Sequence, residues 1–308
     1  MTGARMHADE VMTDVGLVRR LLAAQFPQWA DLPITPVPSA GTDNAIYRLG
    51  EDKAVRLPRI HWATGQIAKE RTWLPRLAPH LPLELPVQLA VGTPGAGYPY
   101  EWAVYRWLAG ESVADAPIAN LDEIAIALAH FIIALQRIDP DGGPAAVEHG
   151  LRGAPLHLRD AGTRAAITAM GAMIDADAAL RVWEEALRAP EWDRPPVWFH
   201  GDLLPGNLLA TDGRLSAVID WSGMGVGDPA CDLMCAWALF SGSSRRIFRD
   251  TLALDDATWV RARGQALSQA VIFIPYYLHT NPVGVARAQR MLREVLADAW
   301  PGMNRAAP

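Results

Sequence analysis

Asp202, Asn207 and Asp220 are oxygen-bearing side chains within one short segment of the 308-residue chain, FHGDLLPGNLLATDGRLSAVID. Asp202 and Asn207 lie five residues apart across a Pro-Gly loop, so both can point into one pocket. A carboxylate and an amide oxygen, completed by water and phosphate, form the ligand set that Mg²⁺ prefers, and a second carboxylate could deprotonate a hydroxyl. These residues are the minimum equipment for phosphoryl transfer from a nucleotide.

Each of these residue types also has a structural interpretation, because a single Asp or Asn in a turn usually forms that turn. Asp220, however, follows the apolar residues Val218 and Ile219, where a charge without a partner is unfavourable. Three such residues on converging strands favour one metal site over three separate turns.

Short strands must position these side chains. The pattern predicts strands at 197–200, 207–210 and 215–220. The tight turn TDGR joins the last two strands and returns Asp220 to the side of Asn207.

The rest of the chain divides into a β-rich first part and a helical second part. Asn120 followed by Glu123 predicts a capping box at the first long helix of the second part. The periodicity predicts a helix at 11–26, strands at 45–49 and 53–57 around a Gly50 turn, a helix at 63–77, strands at 85–91 and 102–107, and helices from 120, at about 159–189 and from 229 onwards. This layout indicates an α+β fold.

The paired motifs HGDLLPGN and VIDWSGMGVGDPACDL resemble those of the aminoglycoside phosphotransferase family, small-molecule kinases with a protein-kinase-like fold. The resemblance implies two lobes. Residues 1–108 would form a β-rich nucleotide-binding lobe that ends in a hinge, and residues 109–308 a mainly helical lobe with the catalytic loop, the metal loop and the acceptor site. It also implies that Asp202 is the catalytic base and that Asn207 and Asp220 hold the Mg²⁺ ions that bridge the nucleotide phosphates.

Three neighbours of these residues also match family positions. His200 is expected to pack against the catalytic loop and bond to it. Asp228 precedes Pro229 and is expected to cap the next helix, because proline suits a first helical position. Asp232 is expected to be an internal hydrogen-bond partner rather than a ligand.

The first lobe should supply a cation for the α- and β-phosphates, oriented by a helical glutamate. The strand KAVRLPR offers Arg56, and Glu70 in the next helix is its expected partner. The family often has lysine here, but this chain has only Lys53 and Lys69 among its 28 basic residues, and arginine still offers a two-pronged contact to phosphate. Lys53 lies three residues before Arg56, so it points to the opposite face of the strand. An exposed strand arginine is the alternative for Arg56.

Two further segments are predicted to contact the nucleotide. In the loop SAGTDNA, Ser39 and Thr42 could contact phosphate oxygens, although the loop lacks the G-x-G-x-x-G pattern. The segment WAVYRWLAGE resembles the strand and hinge on which adenine rests, with backbone groups of Arg106, Trp107 and Leu108 contacting its edge. A hydrophobic core strand is the alternative for its side chains.

The net charge of −6 argues against a nucleic-acid partner, because phosphate backbones require a basic surface. Residues 1–108 carry a net charge of +1 and residues 109–308 a net charge of −7, which suits a cationic acceptor and equally an ordinary solubilising surface. The chain shows neither a signal peptide nor the roughly 18 apolar residues of a membrane span, which predicts a cytoplasmic protein, as monomer or homodimer. Cys231 and Cys235 are expected to be buried thiols.

Three other functions fit these residues less well. A protein kinase needs a long peptide-docking segment after the metal-binding Asp, but Asp220 and Asp232 are only twelve residues apart. A metal-dependent hydrolase usually needs more imidazole or carboxylate ligands than His200 and the two aspartates provide. A binding module without turnover would be expected to lack part of the catalytic set, which is complete here.

We therefore expect an ATP- or GTP-dependent phosphotransferase that acts on a hydroxyl of a small molecule, such as an aminoglycoside-like antibiotic. A macrolide, a sugar, homoserine or choline are alternative acceptors that the resemblance allows. Four acidic residues are candidate acceptor contacts, with surface solvation as the equal alternative: Glu148, Asp160, Asp255 and Asp256.

Overall fold

An antiparallel sheet forms the first lobe in the computed structural model, which describes residues 6–7, 9–38, 41–146 and 151–298. Within these residues the sheet has five strands in the order β1-β2-β3-β5-β4. The strands are β1 (Ile34–Pro36), β2 (Asn44–Leu49), β3 (Lys53–Pro58), β4 (Gln88–Gly92) and β5 (Trp102–Arg106), and the helices of this lobe are α1 (Val15–Gln25) and α2 (Gln66–Leu77). The predicted hairpin is confirmed, with Ile46 opposite Arg56.

Three predicted elements of this lobe begin later than the sequence pattern indicated, and one of them is helix α2, which begins at Gln66 rather than at 63. Helix α1 begins at Val15 because the Asp14 carboxylate caps it, accepting a hydrogen bond from Leu17 N at 2.6 Å. Strand β4 begins at Gln88 rather than at 85, where Pro86 has no N–H to donate to a ladder.

The second lobe is mainly helical. Its elements are β6 (Glu111–Ser112), α3 (Leu121–Gln136), α4 (Asp160–Met170), α5 (Ala176–Arg188), β7 (Val197–Phe199), β8 (Leu208–Thr211), β9 (Arg214–Val218), β10 (Gly225–Gly227), α6 (Cys235–Ala238), α7 (Gly242–Leu252), α8 (Asp256–Tyr277) and α9 (Pro282–Ala297). Asn120 caps α3 as predicted, with its Oδ1 accepting from Glu123 N, but the capping box is not closed, because Glu123 Oε1 accepts from Asn120 Nδ2 rather than from the main-chain N of Asn120. The α+β, kinase-like layout is confirmed.

The short strands of the second lobe place the catalytic segment. Strand β8 lies between β6 and β9, and β10 pairs with β7. In the β8–β9 hairpin Leu208 is opposite Val218, and Ile219 N donates to Asn207 O at 2.9 Å. The predicted third strand therefore ends two residues before Asp220, which adopts a left-handed conformation at φ 59°.

Each of the two lobes has its own hydrophobic core. The first is built between α1 and the sheet, around Leu21, Val55 and Trp102. The second lies around α3 and α8, and it also receives Leu74 and Leu77 from the end of α2. Helix α2 thus packs against both lobes, and the boundary at residue 108 stays a prediction. No helix of the described part of the chain is both long enough and apolar enough to cross a membrane.

Candidate active site

The loop between β7 and β8 carries Asp202, and His200 holds this loop from beneath. His200 is buried. Its Nε2 lies 3.0 Å from Ile219 O, and its Nδ1 lies 3.1 Å from the main-chain N of Asp202. Since the Asp202 N–H must donate, Nδ1 accepts and Nε2 carries the proton, which is the neutral ring. Burial lowers the pKa of His200 to about 4. The predicted structural role of His200 is confirmed.

Asp232 anchors the start of the same loop. Its buried carboxylate accepts from His200 N at 2.7 Å and from Gly201 N at 2.6 Å. Burial raises the pKa of Asp232 to about 7, although the two backbone hydrogen bonds act in the opposite direction. Asp232 is therefore an internal hydrogen-bond partner, as predicted.

Asp228 closes the far end of the motif. It accepts from Ala230 N at 3.0 Å, so it caps the helical turn Pro229–Met234 as predicted, and its carboxylate also pairs with the buried Arg261. The two cysteines are buried and free, and burial raises the pKa of both thiols.

Asn207 is bonded directly to Asp202. Its Nδ2 donates to Asp202 Oδ2 at 2.9 Å and to the main-chain O of Asp202 at 2.9 Å. Because both amide hydrogens face Asp202, the Oδ1 of Asn207 points away as a free acceptor. Burial raises the pKa of Asp202, against the lowering effect of Arg152. The pair thus combines a proton-accepting carboxylate with an amide oxygen that suits a hard cation.

Asp220 completes the predicted set. Its Oδ1 lies 3.4 Å from Arg56 Nη2, across from the first lobe. Burial disfavours the charged carboxylate, but Arg56, a hydrogen bond from Ser222 and His200 outweigh it, so the pKa of Asp220 is lowered. Among the residues that the structure describes, no group of three or more His, Cys, Asp or Glu could hold a metal. An ion here would therefore be held by Asp220 and the Asn207 amide, completed by phosphate and water.

Arg56 is fixed on the opposite wall. It is buried on the inner face of β3, where its Nη1 donates to Glu70 Oε1 at 2.6 Å and its Nη2 to Gln66 Oε1 at 2.9 Å. The other oxygen of Glu70 accepts from the Tyr105 hydroxyl at 2.6 Å. The predicted Arg56–Glu70 pair is present, and the exposed-arginine alternative is wrong. Lys53 points to the other face and pairs with exposed Asp52 at 2.7 Å.

The predicted nucleotide contacts lie in the phosphate loop at 39–45 and in the hinge at 106–108. Ser39 lies outside the described residues, and the Thr42 hydroxyl donates to Asp43 Oδ1 at 3.0 Å. In the hinge, Arg106 N donates to Val87 O at 2.9 Å and Trp107 N to Asp52 O at 2.7 Å. Both N–H groups are thus used within the protein, which leaves the carbonyls and the N–H of Leu108 for a base. Contact of these residues with a nucleotide stays a prediction.

Comparison with known proteins now identifies the family. The model of the phosphotransferase enzyme family matches residues 34–267, more than half of the chain and all of the site residues above. The chain belongs to this family. Membership makes it a phosphotransferase that acts on hydroxyl groups, which argues against the hydrolase and binding-module alternatives. No curated protein sequence is significantly similar to it.

Solved structures share the fold of this phosphotransferase. The GDP and kanamycin complex of an APH(2") enzyme superposes with a TM-score of 0.73 at 18% identity, covering 92% of this chain and 99% of that one. The streptomycin–ATP complex of a second APH(2") enzyme gives 0.59 at 17% identity, covering 93% and 99%. The macrolide 2'-phosphotransferase of Brachybacterium faecium gives 0.59 at 24% identity, covering 91% and 99%.

The segment after Asp220 also fits a small-molecule enzyme. Between Asp220 and Asp232 the phosphotransferase forms a helical turn at Trp221–Gly223, strand β10 and the start of the next turn. Only Met224 and Asp228 lie between these elements, so the segment has no room for a peptide-docking extension.

Two basic residues of the phosphotransferase site were missed from the sequence. Lys69 reaches from α2 to the metal loop, where its Nζ donates to Ser222 O at 2.5 Å and Met224 O at 3.2 Å. Arg152 Nη2 lies 3.6 Å from Asp202 Oδ1. The rarity of lysine was a signal for Lys69, whereas Arg152 stands outside any motif and had none.

Three of the four candidate acceptor contacts have other partners within the protein. Asp160 accepts from Trp183 Nε1 at 2.7 Å and from Arg164 Nε at 2.8 Å. Asp255 caps helix α8, and Asp256 forms an ion pair with Arg249 at 2.6 Å. Glu148 lies outside the described residues. The carboxylates of this lobe are therefore partly matched by arginines rather than left to attract a cation.

Proposed function

We propose that this phosphotransferase moves the γ-phosphoryl group of ATP or GTP to a hydroxyl of a small molecule bound beside Asp202. The observation that carries the proposal is that the predicted site residues of both lobes lie in two groups of direct contacts. Asp202 and Asn207 stand in direct contact, and the Asp220–Arg56–Glu70 chain of ion pairs joins the metal loop to the first lobe. A triphosphate needs this combination of cation, metal ligands and base.

Asp202 is proposed as the catalytic base. Its Oδ2 is taken by the Asn207 amide, so Oδ1 is the oxygen that accepts the proton of the acceptor hydroxyl. Burial raises the pKa of this carboxyl, which makes it a better proton acceptor than an exposed aspartate. As the proton moves to Oδ1, the hydroxyl oxygen forms its bond to the γ-phosphorus, and the bond to the β-phosphate oxygen breaks with its electron pair.

The donor atoms of the site fit Mg²⁺. The amide nitrogen of Asn207 donates to Asp202, so its Oδ1 faces away from that residue and can accept a cation, and the charged Asp220 supplies a hard carboxylate. When bound, the ion would neutralise charge on the β- and γ-phosphate oxygens.

Arg56 is proposed to hold the α- and β-phosphates. Its guanidinium is preorganised by Glu70 at Nη1 and by Gln66 and Asp220 at Nη2. A fixed two-pronged donor suits phosphate oxygens, so the arginine in place of lysine keeps the same chemistry.

The acceptor class is proposed from the related structures. Relatives with the same fold are described in complex with kanamycin or streptomycin, and another is a macrolide 2'-phosphotransferase. An aminoglycoside-like polycation is the first class to test, because the second lobe carries a net charge of −7. Macrolides are the second class, and sugars, homoserine and choline follow.

The test measures nucleotide consumption and product phosphorylation against a panel of these acceptors. We expect Asp202→Ala to abolish transfer while nucleotide affinity is kept, and Asp220→Ala to lose the gain in nucleotide affinity that Mg²⁺ provides. Asp212→Asn, in the exposed turn between β8 and β9, is the matched control. Transfer by Asp202→Ala at the wild-type rate would overturn the assignment of the base, and unchanged metal-dependent affinity in Asp220→Ala that of the metal ligand.

A further inference from the structure

Arg152 lies against the catalytic base on the side away from Asn207. Its Nη2 is 3.6 Å from Asp202 Oδ1, whereas the Asn207 amide occupies Oδ2. The Arg152 side chain is 25% exposed, so it is partly sheltered yet open to a ligand in the cleft. The cation therefore stands beside the oxygen that is proposed to take the acceptor proton.

Two glycines let this guanidinium reach Asp202. A Cβ on Gly223 would overlap Arg152 Nη1, and a Cβ on Gly201 would stand 3.2 Å from Arg152 Cδ. Gly201 precedes Asp202 in the catalytic loop, and Gly223 follows Asp220 in the metal loop. Arg152 thus lies between the two loops that carry the proposed chemistry.

The other two cations of the site each have several partners within the protein. Arg56 is held by Glu70, Gln66 and Asp220, and Lys69 by two main-chain carbonyls. Among the described residues, Asp202 is the one carboxylate within ion-pair distance of Arg152. This partner loses its charge when it accepts a proton, at the moment when the phosphoryl group arrives beside it.

We propose that Arg152 is a catalytic residue that exchanges Asp202 for the phosphoryl group during transfer; the proposal rests on the proposed function. The acceptor proton passes to Asp202 Oδ1, the acceptor oxygen bonds to the γ-phosphorus, and the β-phosphate oxygen leaves with the electron pair. The phosphoryl group carries its own negative charges to the acceptor side, while the charge left by bond cleavage stays on the β-phosphate near Arg56. Among the described residues, Arg152 is the cation beside Asp202 Oδ1, and once protonation removes the charge of Asp202 its guanidinium binds the arriving phosphoryl oxygens.

This role predicts a selective defect that a packing role would not produce. Arg152→Gln should leave the affinity for MgADP or MgGDP within about twofold of wild type. Both the transfer rate and the slow hydrolysis of the nucleotide by water should fall roughly 10²–10³-fold, near the lower end of what an arginine contributes to phosphoryl transfer in other enzymes. Arg152→Lys keeps the charge and loses the fork, so its rate should lie between the two.

The decisive measurement uses aluminium fluoride, which mimics the phosphoryl group in flight and needs no identified acceptor. Calorimetry would compare MgADP binding with and without aluminium fluoride in wild type, Arg152→Gln and Arg152→Lys. Arg164→Gln, an arginine of α4 that pairs with Asp160, is the control. We expect aluminium fluoride to tighten MgADP binding to wild type and the control, and to have little effect on Arg152→Gln.

The outcomes separate this inference from the proposed function. If aluminium fluoride tightens binding equally in wild type and Arg152→Gln, and the rates are equal, the role of Arg152 is overturned while the kinase function stands. If wild type neither binds the nucleotide nor transfers phosphate, the proposed function fails, and this inference with it. Should Arg152→Gln not fold, Arg152→Lys decides: a lysine variant with wild-type rate and aluminium fluoride response overturns the proposal.

Discussion

The amide nitrogen of Asn207 lies 2.9 Å from Asp202 Oδ2 and 2.9 Å from the main-chain O of the same residue. One side chain therefore orients the proposed base and offers its remaining oxygen to the proposed metal ion. The two functions need the two different ends of an amide, which a carboxylate of the same shape cannot supply.

We predict that Asn207→Asp inactivates the enzyme although it adds a possible metal ligand. Two carboxylates would then face each other at hydrogen-bond distance. Their repulsion would either displace Asp202 or raise its pKa, so that Asp202 holds a proton and no longer acts as a base. We expect the rate of transfer to fall by about 10²-fold or more, as for the loss of a positioned general base. Asn120→Asp, at the exposed cap of α3, is the matched control because Asn and Asp cap equally well. A rate within a few-fold of wild type would contradict this account of Asn207.

Glu70 is predicted to be needed for both folding and nucleotide binding. Its buried carboxylate accepts from Arg56 at 2.6 Å and from Tyr105 at 2.6 Å. Glu70→Gln keeps the shape but leaves the Arg56 charge buried with a weaker partner. We expect the free energy of unfolding to fall by about 3 kcal/mol, measured by urea denaturation, and nucleotide affinity to fall with it.

The control for this variant is Glu84→Gln. Glu84 pairs with Arg106 at 3.0 Å, but both side chains are largely exposed. A pair of this kind contributes about 0–1 kcal/mol, so the free energy of unfolding should scarcely change. Equal losses in the two variants would show that burial of the Arg56–Glu70 pair is not what makes it important.

Lys69 is predicted to make stability depend on pH in the alkaline range. Burial lowers the pKa of Lys69 to about 8 from an ordinary 10.5; Arg152 and Arg56 act in the same direction, and Glu70 and Asp220 oppose it. Between these two pH values the unfolded chain binds the Lys69 proton more strongly than the folded protein does. This contribution to the free energy of unfolding is therefore complete above about pH 10.5 and is lost as the pH falls through about 8.

The measurement compares urea denaturation of wild type and Lys69→Met at several pH values across that range. We expect the difference in free energy of unfolding to move in favour of wild type as the pH rises. Lys53→Met, on the outer face of β3, should run parallel to wild type. A pH-independent difference between wild type and Lys69→Met would rule out the assigned charge effect.

The Asp228–Arg261 pair is predicted to be coupled. Arg261 Nε lies 2.7 Å from Asp228 Oδ2, and its Nη2 is 3.1 Å from Oδ1. Arg261→Met leaves Asp228 nearly buried and unpaired, so we expect the free energy of unfolding to fall by about 3–5 kcal/mol. In the double variant with Asp228→Ala, the loss should be smaller than the sum of the single losses by about 1–3 kcal/mol. Additive losses, measured in the same urea experiment, would contradict a direct interaction.

Local parts of the site could be predicted because short stretches of chain set them. Asp202 and Asn207 share one loop, and a single tight hairpin carries the chain from Asn207 to Asp220. The Arg56–Glu70 pair could also be predicted, because a strand and the helix that follows it pack together in this fold. Where the predictions missed, the cause was local too. Strand β9 ends at Val218 because the chain turns into a left-handed residue at Asp220.

The convergence of distant charges could not be predicted in this way. Arg152, Lys69 and Gln66 lie in segments without a motif, and their roles arise only when helix α2 and the loops of the second lobe pack together. The same packing gave Asp160 and Asp256 arginine partners, which the net charge of the lobe does not reveal.

The amino-acid sequence by itself indicated the fold class and the residues proposed as base and metal donors, because hydrophobic periodicity and loop spacing act over a few residues. Only the tertiary structure decided which cation stands beside the base and which way the Asn207 amide faces. Those choices depend on how buried charges find partners across segments far apart in the chain, and such pairing is settled when the lobes pack.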